Sequence, residues 1–168
     1  MIELLTPRLR MRRATRDDLA DLHAILSNAS AMRYWMTLPH TDLKQSELWL
    51  NDLIGANPET SDEFVLEYRN KVIGRAGIWQ VPEIAFMLHP DYWGQGFAIE
   101  ALSRIVPRVF ASFPIPAIEA DVDPRNSSSL ALLGKLGFRE TRRAFQNLKV
   151  GDEWCDSVYL ALNRPSAG

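Results

Sequence analysis

From Ile84 to Ala98 the chain changes character twice. An apolar strand-like run reaches His89-Pro90, a turn Trp93-Gly94-Gln95-Gly96 follows, and a helical pattern of apolar residues begins at Phe97. Glycine at 94 and 96 permits positive backbone angles and lets an anion approach the main chain closely. The helix that opens there adds free N–H groups and a partial positive charge, which suits a pyrophosphate. A Gly-x-Gly pair alone is more often only a tight turn. Two other phosphate cradles are excluded: no Gly-Lys-Ser/Thr follows, and the third glycine of the dinucleotide fingerprint is missing from a fitting βαβ unit. Kinase and dehydrogenase readings lose their support.

The rest of the chain supplies both periods around this segment. Arg8 to Arg13 alternates and reads as a first strand. Thr15 with Asp18 imitates a capping box ahead of Leu19, Leu22, Ile25 and Leu26 at helical spacing. Asp42 with Gln45 starts a second helix, which Gly55 ends at its C′ position. Glu63 to Tyr68 and Lys71 to Trp79 read as strands joined at Arg69-Asn70, and Glu83 to Leu88 as another. Phe97 to Phe110 reads as a helix that Pro107 kinks. Ile118 to Val122 is a short strand, Asn126 to Leu136 a helix closed by Gly137, and Phe138 to Val150 with Trp154 to Leu162 a hairpin about Gly151-Asp152.

A chain of 168 residues with 46% apolar and 24% charged residues reads as one domain with a packed core. The formal net charge of -2 gives no general pull toward nucleic acid or anionic membrane, so any anion site must be local. Five tryptophans without a basic stripe read as core or pocket wall rather than as base-stacking platforms. Cys155 is the single cysteine, which excludes an internal disulfide or a cysteine zinc cluster and fits a reducing compartment. No signal-like or membrane-spanning run occurs, so a cytoplasmic location is expected. His23, His40 and His89 lack the spacing of a helical metal pair, and no metal is assigned.

Four segments together resemble the GNAT superfamily of N-acetyltransferases, in the branch of the ribosomal-protein N-terminal acetyltransferases. Trp93-Gly94-Gln95-Gly96-Phe97-Ala98 resembles the acetyl coenzyme A loop Gln/Arg-x-x-Gly-x-Gly/Ala, with Trp93 in place of the first polar residue. Thr6-Pro7-Arg8-Leu9 is similar to that branch's opening strand. Asn126-Ser127-Ser128-Ser129 with Lys135-Leu136-Gly137-Phe138 is similar to its second cofactor segment, and Gly151-Asp152-Glu153-Trp154 with Asp156 and Tyr159 to its closing hairpin. The resemblance spans nearly the whole chain. It implies a mixed α+β fold: a mostly antiparallel sheet of six to seven strands, splayed into a V between Glu83–Leu88 and Ile118–Val122, with about four helices. It further implies that backbone groups of Met87, Leu88 and His89 pair with the pantetheine of acetyl coenzyme A. Trp93, Gly94, Gln95, Gly96, Phe97 and Ala98 then hold its pyrophosphate.

Acetyl transfer needs a polarised thioester carbonyl, a neutral amine and a proton for the leaving thiolate. A backbone N–H of Met87 or Leu88 is the candidate for the first need. Glu83, where relatives place a carboxylate, is the candidate base acting through water, with Glu119 and Asp121 on the facing strand as rivals; the bland reading of Glu83 is a strand-end charge. Glu100 reads as a packing or solvent-facing residue. Many relatives use a tyrosine acid where this chain has Leu133; the resemblance of Asn126–Ser129 to the second cofactor segment makes Ser129 the natural substitute, with its hydroxyl in reach of the coenzyme sulfur directly or through water, and a helix first-turn serine is the equally open reading. Asn126 reads as a helix cap whose other groups are free to hydrogen-bond the pantetheine or an ordered water.

The expected acceptor is a primary amine. A terminal α-amine, with a pKa of about 7.7–8.0, needs less help than a lysine near 10.4, and the resemblance points the same way, toward a protein or peptide N-terminus. A small-molecule amine stays open, since the segment from Ala31 to Pro39 and the second helix would shape the acceptor pocket and name no ligand. So do a catalytically silent coenzyme-binding module and a nucleotide-binding regulator. The strands between Phe138 and Leu162 offer a surface for a homodimer.

Overall fold

In the computed structural model, which describes residues 2–167, these periodicities become one eight-stranded sheet and four α-helices. In chain order they are β1 (Glu3–Leu5), β2 (Arg10–Arg12), α1 (Leu19–Leu26), α2 (Leu43–Ile54), β3 (Asp62–Tyr68), β4 (Lys71–Gln80), β5 (Glu83–Leu88), α3 (Phe97–Ser112), β6 (Ala117–Val122), α4 (Ser127–Lys135), β7 (Arg139–Val150) and β8 (Glu153–Asn163). The sheet order is β1-β2-β3-β4-β5-β6-β8-β7, antiparallel throughout except between β5 and β6. The mixed α+β architecture is the expected one.

The sheet is longer than the expected six to seven strands because Glu3–Leu5 pairs with Arg10–Arg12. Thr6-Pro7-Arg8-Leu9 is accordingly a turn, not strand: the Thr6 N–H donates to the Leu9 carbonyl at 3.0 Å, and the Leu9 N–H donates to Thr6 Oγ1 at 2.9 Å. Arg69 and Asn70 both take left-handed angles (φ 51° and 62°), the pair of conformations a two-residue hairpin turn needs. Gly55 differs from expectation. It sits at the C-cap of α2 with φ -86°, so the helix ends without using glycine's freedom. Helix α3 continues through Pro107 to Ser112.

Side-chain alternation divides the core in two. Phe64 and Leu66 of β3, Ile73, Ala76 and Ile78 of β4 and Ile84 of β5 pack under α3 and α4 with Phe97, Leu102, Ile105 and Leu133. On the opposite face Val65, Val72 and Met87 pack under α1 and α2 with Leu22, Ile25, Leu26 and Leu50. Each such side chain larger than alanine, taken from water, contributes about 1.5–3 kcal/mol. The two helical layers thus hold the middle of the sheet rigid.

Rigidity stops between β5 and β6. These strands share a single bridged pair, Glu83 with Glu119, beside which the Glu119 N–H donates to the Pro82 carbonyl at 2.9 Å. Beyond that apex they run parallel without pairing, and a cleft opens toward Leu88 and Val122.

Candidate active site

The cleft leads into a cavity of about 1220 Å³. Ligand pockets for one small molecule measure about 300–1,000 Å³, so this one has room for two reactants. Its walls include Glu83, Met87, Leu88, Trp93, Gly94, Gly96, Phe97, Ala98, Asn126 and Ser129, which sequence reasoning singled out. His89 and Gln95 are not among the lining residues.

At the upper end, Gly94 and Gly96 adopt φ 69° and 79°, and Gly96 caps α3. The first N–H groups of α3 have no partner within the helix and lie beside the cavity walls formed by Gly96, Phe97 and Ala98. The side chain of Trp93 is half exposed, and its indole N–H donates to the Leu88 carbonyl at 3.0 Å. It ties the loop back onto β5. Gln95 does the same from its own side, donating to the Asp91 carbonyl at 2.9 Å. A Cβ built on Gly96 would meet Arg8 Nη2 at 3.4 Å, rather than open cleft. Gly96→Val therefore presses on that contact and forces a β-branched residue into the left-handed region. The Michaelis constant for acetyl coenzyme A is expected to rise about tenfold, with the protein still folded and its melting temperature lowered by about 2–8 °C; unaltered coenzyme affinity would detach the loop from the site.

Along β5 the ladder decides which backbone groups face the cleft. The His89 N–H donates to the Ile73 carbonyl of β4 at 2.8 Å, and the Met87 carbonyl points at Gly74 of β4. In an antiparallel ladder these groups alternate from residue to residue, so the Leu88 N–H faces away from β4, toward the cleft. Met87 and His89, grouped with Leu88 on sequence, turn their N–H groups the other way.

At the apex Glu83 is half-buried on the face that carries Met87. Burial is the main cause that lifts its pKa above the ordinary carboxylate range; Asp121 and then Glu119 add like-charge repulsion, and hydrogen bonding from Trp79 opposes them. A carboxylate held this way takes up a proton more readily than a free one. Ser129 lies in the first turn of α4, its N–H capped by Asn126 Oδ1 at 3.2 Å. Leu133, at the position of the expected tyrosine, is fully buried in the core under α4.

Sequence reading gives the segment 31–39 and the second helix to the opposite wall, and both line the cavity, but it misses the charged pair between them. Glu63 of β3 and Arg75 of β4 form a buried ion pair on the α1/α2 face, and burial pushes Glu63 up and Arg75 down. Among the described residues Arg75 Nε has no hydrogen-bond partner. The guanidinium carbon instead lies 5.1 Å from the Trp35 ring centroid and 5.5 Å from that of Trp49. Residues 29–39 roof this wall and reach the hairpin: Leu38 packs near Gly151, Arg125 bridges Asp123 and Glu153 at 2.7 Å each, and Arg33 reaches Glu153 at 3.6 Å.

Comparison with known proteins places this geometry among relatives. Residues 8–139 match the family model described as an acetyltransferase (GNAT) domain. The N-acetyltransferase p20 of Bacillus licheniformis is 30% identical over 149 residues, covering 83% of this chain and 84% of that one. Two solved structures share the fold. An acetyl transferase from Salmonella typhimurium that modifies the N-terminal serine of ribosomal protein L7/L12 superposes with a TM-score of 0.83 at 15% identity, over 95% of this chain and 97% of its own. Spermidine N-acetyltransferase from Vibrio cholerae, in complex with CoA and spermine, superposes with a TM-score of 0.78 at 23% identity, over 93% and 95%.

Proposed function

The chain belongs to the GNAT acetyltransferase family, and from that premise we propose that the whole chain acts as one catalytic unit that acetylates the α-amine of a peptide or protein N-terminus. Acetyl coenzyme A is the donor, and attack is direct, in a ternary complex. The observation that carries the reading is the cleft between β5 and β6, which runs from a loop of free N–H groups to a half-buried carboxylate inside a cavity large enough for both reactants.

In this reading the α3 end and Gly94–Ala98 take the pyrophosphate. Leu88 presents its backbone N–H to the thioester oxygen and stabilises the charge that grows there. Glu83 accepts the amine proton. Five residues at about 3.3 Å each put Glu83 roughly 16 Å from Leu88 along the strand, so that proton travels through water. Asn126 holds the start of α4, and Ser129 directs its hydroxyl at the departing sulfur.

The α-amine is favoured because a single raised carboxylate suits a group with a pKa of about 7.7–8.0. A second reading, a small cationic amine, is supported by Asp52, Glu83 and Asp121 lining the same cavity as Trp35 and Trp49. Incubation with acetyl coenzyme A and a mixture of peptides and small amines, followed by mass spectrometry, separates the two. An acetyl group on a peptide N-terminus supports the proposal; acetylation confined to small amines replaces it, and coenzyme binding without thiol release makes the chain a silent module.

Ser129→Ala is expected to lower turnover roughly tenfold while coenzyme dissociation stays nearly the same, since a thiol with a pKa near 8.5 needs only modest protonation. Weaker coenzyme binding at unaltered turnover would make Ser129 a ligand contact instead. We place the enzyme in the cytoplasm on its cysteine usage; among the described residues no helix is long and apolar enough to cross a membrane. The open edge of β7, where Phe145 is 78% exposed, is the surface we assign to a second copy.

A further inference from the structure

We infer that Arg8 is a positioning residue for the coenzyme's pyrophosphate, acting through the Gln95–Gly96 peptide and Glu100; the inference rests on the acetyl coenzyme A reading above. The segment from His89 to Glu100 contains Asp91 and Glu100 but no lysine or arginine. A loop that must hold a pyrophosphate therefore carries negative charge of its own. Its compensating cation comes from more than 80 residues earlier in the chain, out of the β1–β2 turn.

Arg8 grips the start of α3 at several points. Its backbone N–H donates to Glu100 Oε1 at 2.9 Å, and its Nε donates to Glu100 Oε2 at 2.7 Å. Thr6 donates its hydroxyl to Glu100 Oε1 at 2.6 Å. Nη1 donates to the Gln95 carbonyl at 2.9 Å, and the guanidinium lies 4.0 Å above the Phe97 ring. Among the described residues Nη2 has no hydrogen-bond partner, and it stands beside Gly96.

Two consequences follow from elementary geometry and charge. In a trans peptide the carbonyl and the next N–H point in opposite directions. By drawing the Gln95 carbonyl to its own side, Arg8 turns the Gly96 N–H to the other side. That matches the cavity lining, which includes Gly96 and leaves out Gln95. The second consequence is electrostatic. Glu100 lies in the first turn of α3, and unpaired it would repel a phosphate bound at the same helix end. Arg8 neutralises it through the charge-assisted bond from Nε while Nη1 holds the Gln95 carbonyl, a grip on two acceptors by one planar guanidinium that a lysine cannot reproduce.

The test compares two thioesters, acetyl coenzyme A and acetyl-pantetheine, which lacks the pyrophosphate. Arg8→Ala is expected to raise the KM for acetyl coenzyme A and the Kd for coenzyme A by about ten- to fiftyfold, with kcat within about twofold. With acetyl-pantetheine its kcat/KM should stay within about twofold of the unaltered protein. Adding Glu100→Gln to Arg8→Ala should recover part of the lost affinity, because the uncompensated carboxylate is gone. Equal losses with both thioesters would overturn the inference and leave Arg8 a folding residue; so would unchanged affinity for coenzyme A. If Arg8→Ala does not fold, Arg8→Lys decides: a rise of about threefold or more in the acetyl coenzyme A KM alone supports the inference, and no rise overturns it. Failure of the unaltered protein to bind coenzyme A would instead sink the proposed function.

Discussion

Glu83→Gln is expected to lower kcat/KM by about 10²- to 10⁴-fold near neutral pH while leaving the protein as stable as before, or more so. The two halves of this expectation share one cause. Glu83 is half-buried at the apex of the cleft with Asp121 and Glu119 facing it, so its protonated form is favoured relative to an exposed carboxylate. An acid whose folded pKa is raised loses stability as pH climbs from its unfolded value to its folded one, and above the folded value the charged form carries the full penalty. Glutamine removes that penalty and the base together. The activity deficit has a pH window. Below the raised pKa of Glu83 the unaltered enzyme is itself protonated and slow. Above a pKa of about 8 an α-amine is already neutral and needs no base. The gap between enzyme and variant should therefore be widest between these limits and shrink on both sides. A deficit of less than a few fold across the whole profile would return Glu83 to a strand-end charge, and Glu119 and Asp121 would be substituted next.

The parts of this molecule that announce themselves in sequence are those whose cause is local. Glu83–Leu88 was read with its observed ends because it lies between Pro82 and Pro90, and Arg69-Asn70 because a two-residue turn needs residues that tolerate the left-handed region. The glycine turn that opens α3 is legible for the same reason, as Gly94 and Gly96 mark the chain directly. The strand at Glu3–Leu5 was not legible. It has three residues, of which Leu4 alone is buried, and no period can be counted over that length. The segment 31–39 and α2 are legible as pocket walls, but the Glu63–Arg75 pair between them is beyond reach for a different reason. Trp35, Trp49, Glu63 and Arg75 come from a loop, a helix and two strands, and they meet only because β3 and β4 turn those particular residues toward α2. Glu100 shows the limit most clearly. Read alone it is a helix surface residue; its role appears once the β1–β2 turn delivers Arg8 and Thr6 to it.

Gly74→Ala joins the fold to the site, and it is expected to damage both. A Cβ at this position would stand 2.2 Å from the Met87 carbonyl oxygen and 3.2 Å from Leu88 Cα, both main-chain atoms that no rotamer change can move away. Backbone must shift, and overpacking of this kind costs about 3 kcal/mol. For a domain of this size that corresponds to a fall of about 6–12 °C in melting temperature. The direction of the shift matters more than its cost. β4 is held from below by α1 and from the side by β3, while β5 beyond its apex has no paired strand on its far edge. Strand β5 therefore gives way, carrying the Leu88 N–H with it. The Leu88 carbonyl holds the Trp93 indole, so the loop that carries Gly94 and Gly96 moves as well. Displacement of reacting groups by about 1 Å can lower a rate by about a hundredfold, and kcat/KM for acetyl coenzyme A should fall by that order even below the lowered melting temperature. Thermal denaturation and steady-state kinetics on the same preparation check the two effects separately. A variant with an unchanged melting temperature would mean that β4 and β5 can part without cost. One that melts early yet keeps full kcat/KM would mean that the end of β5 does not position the thioester.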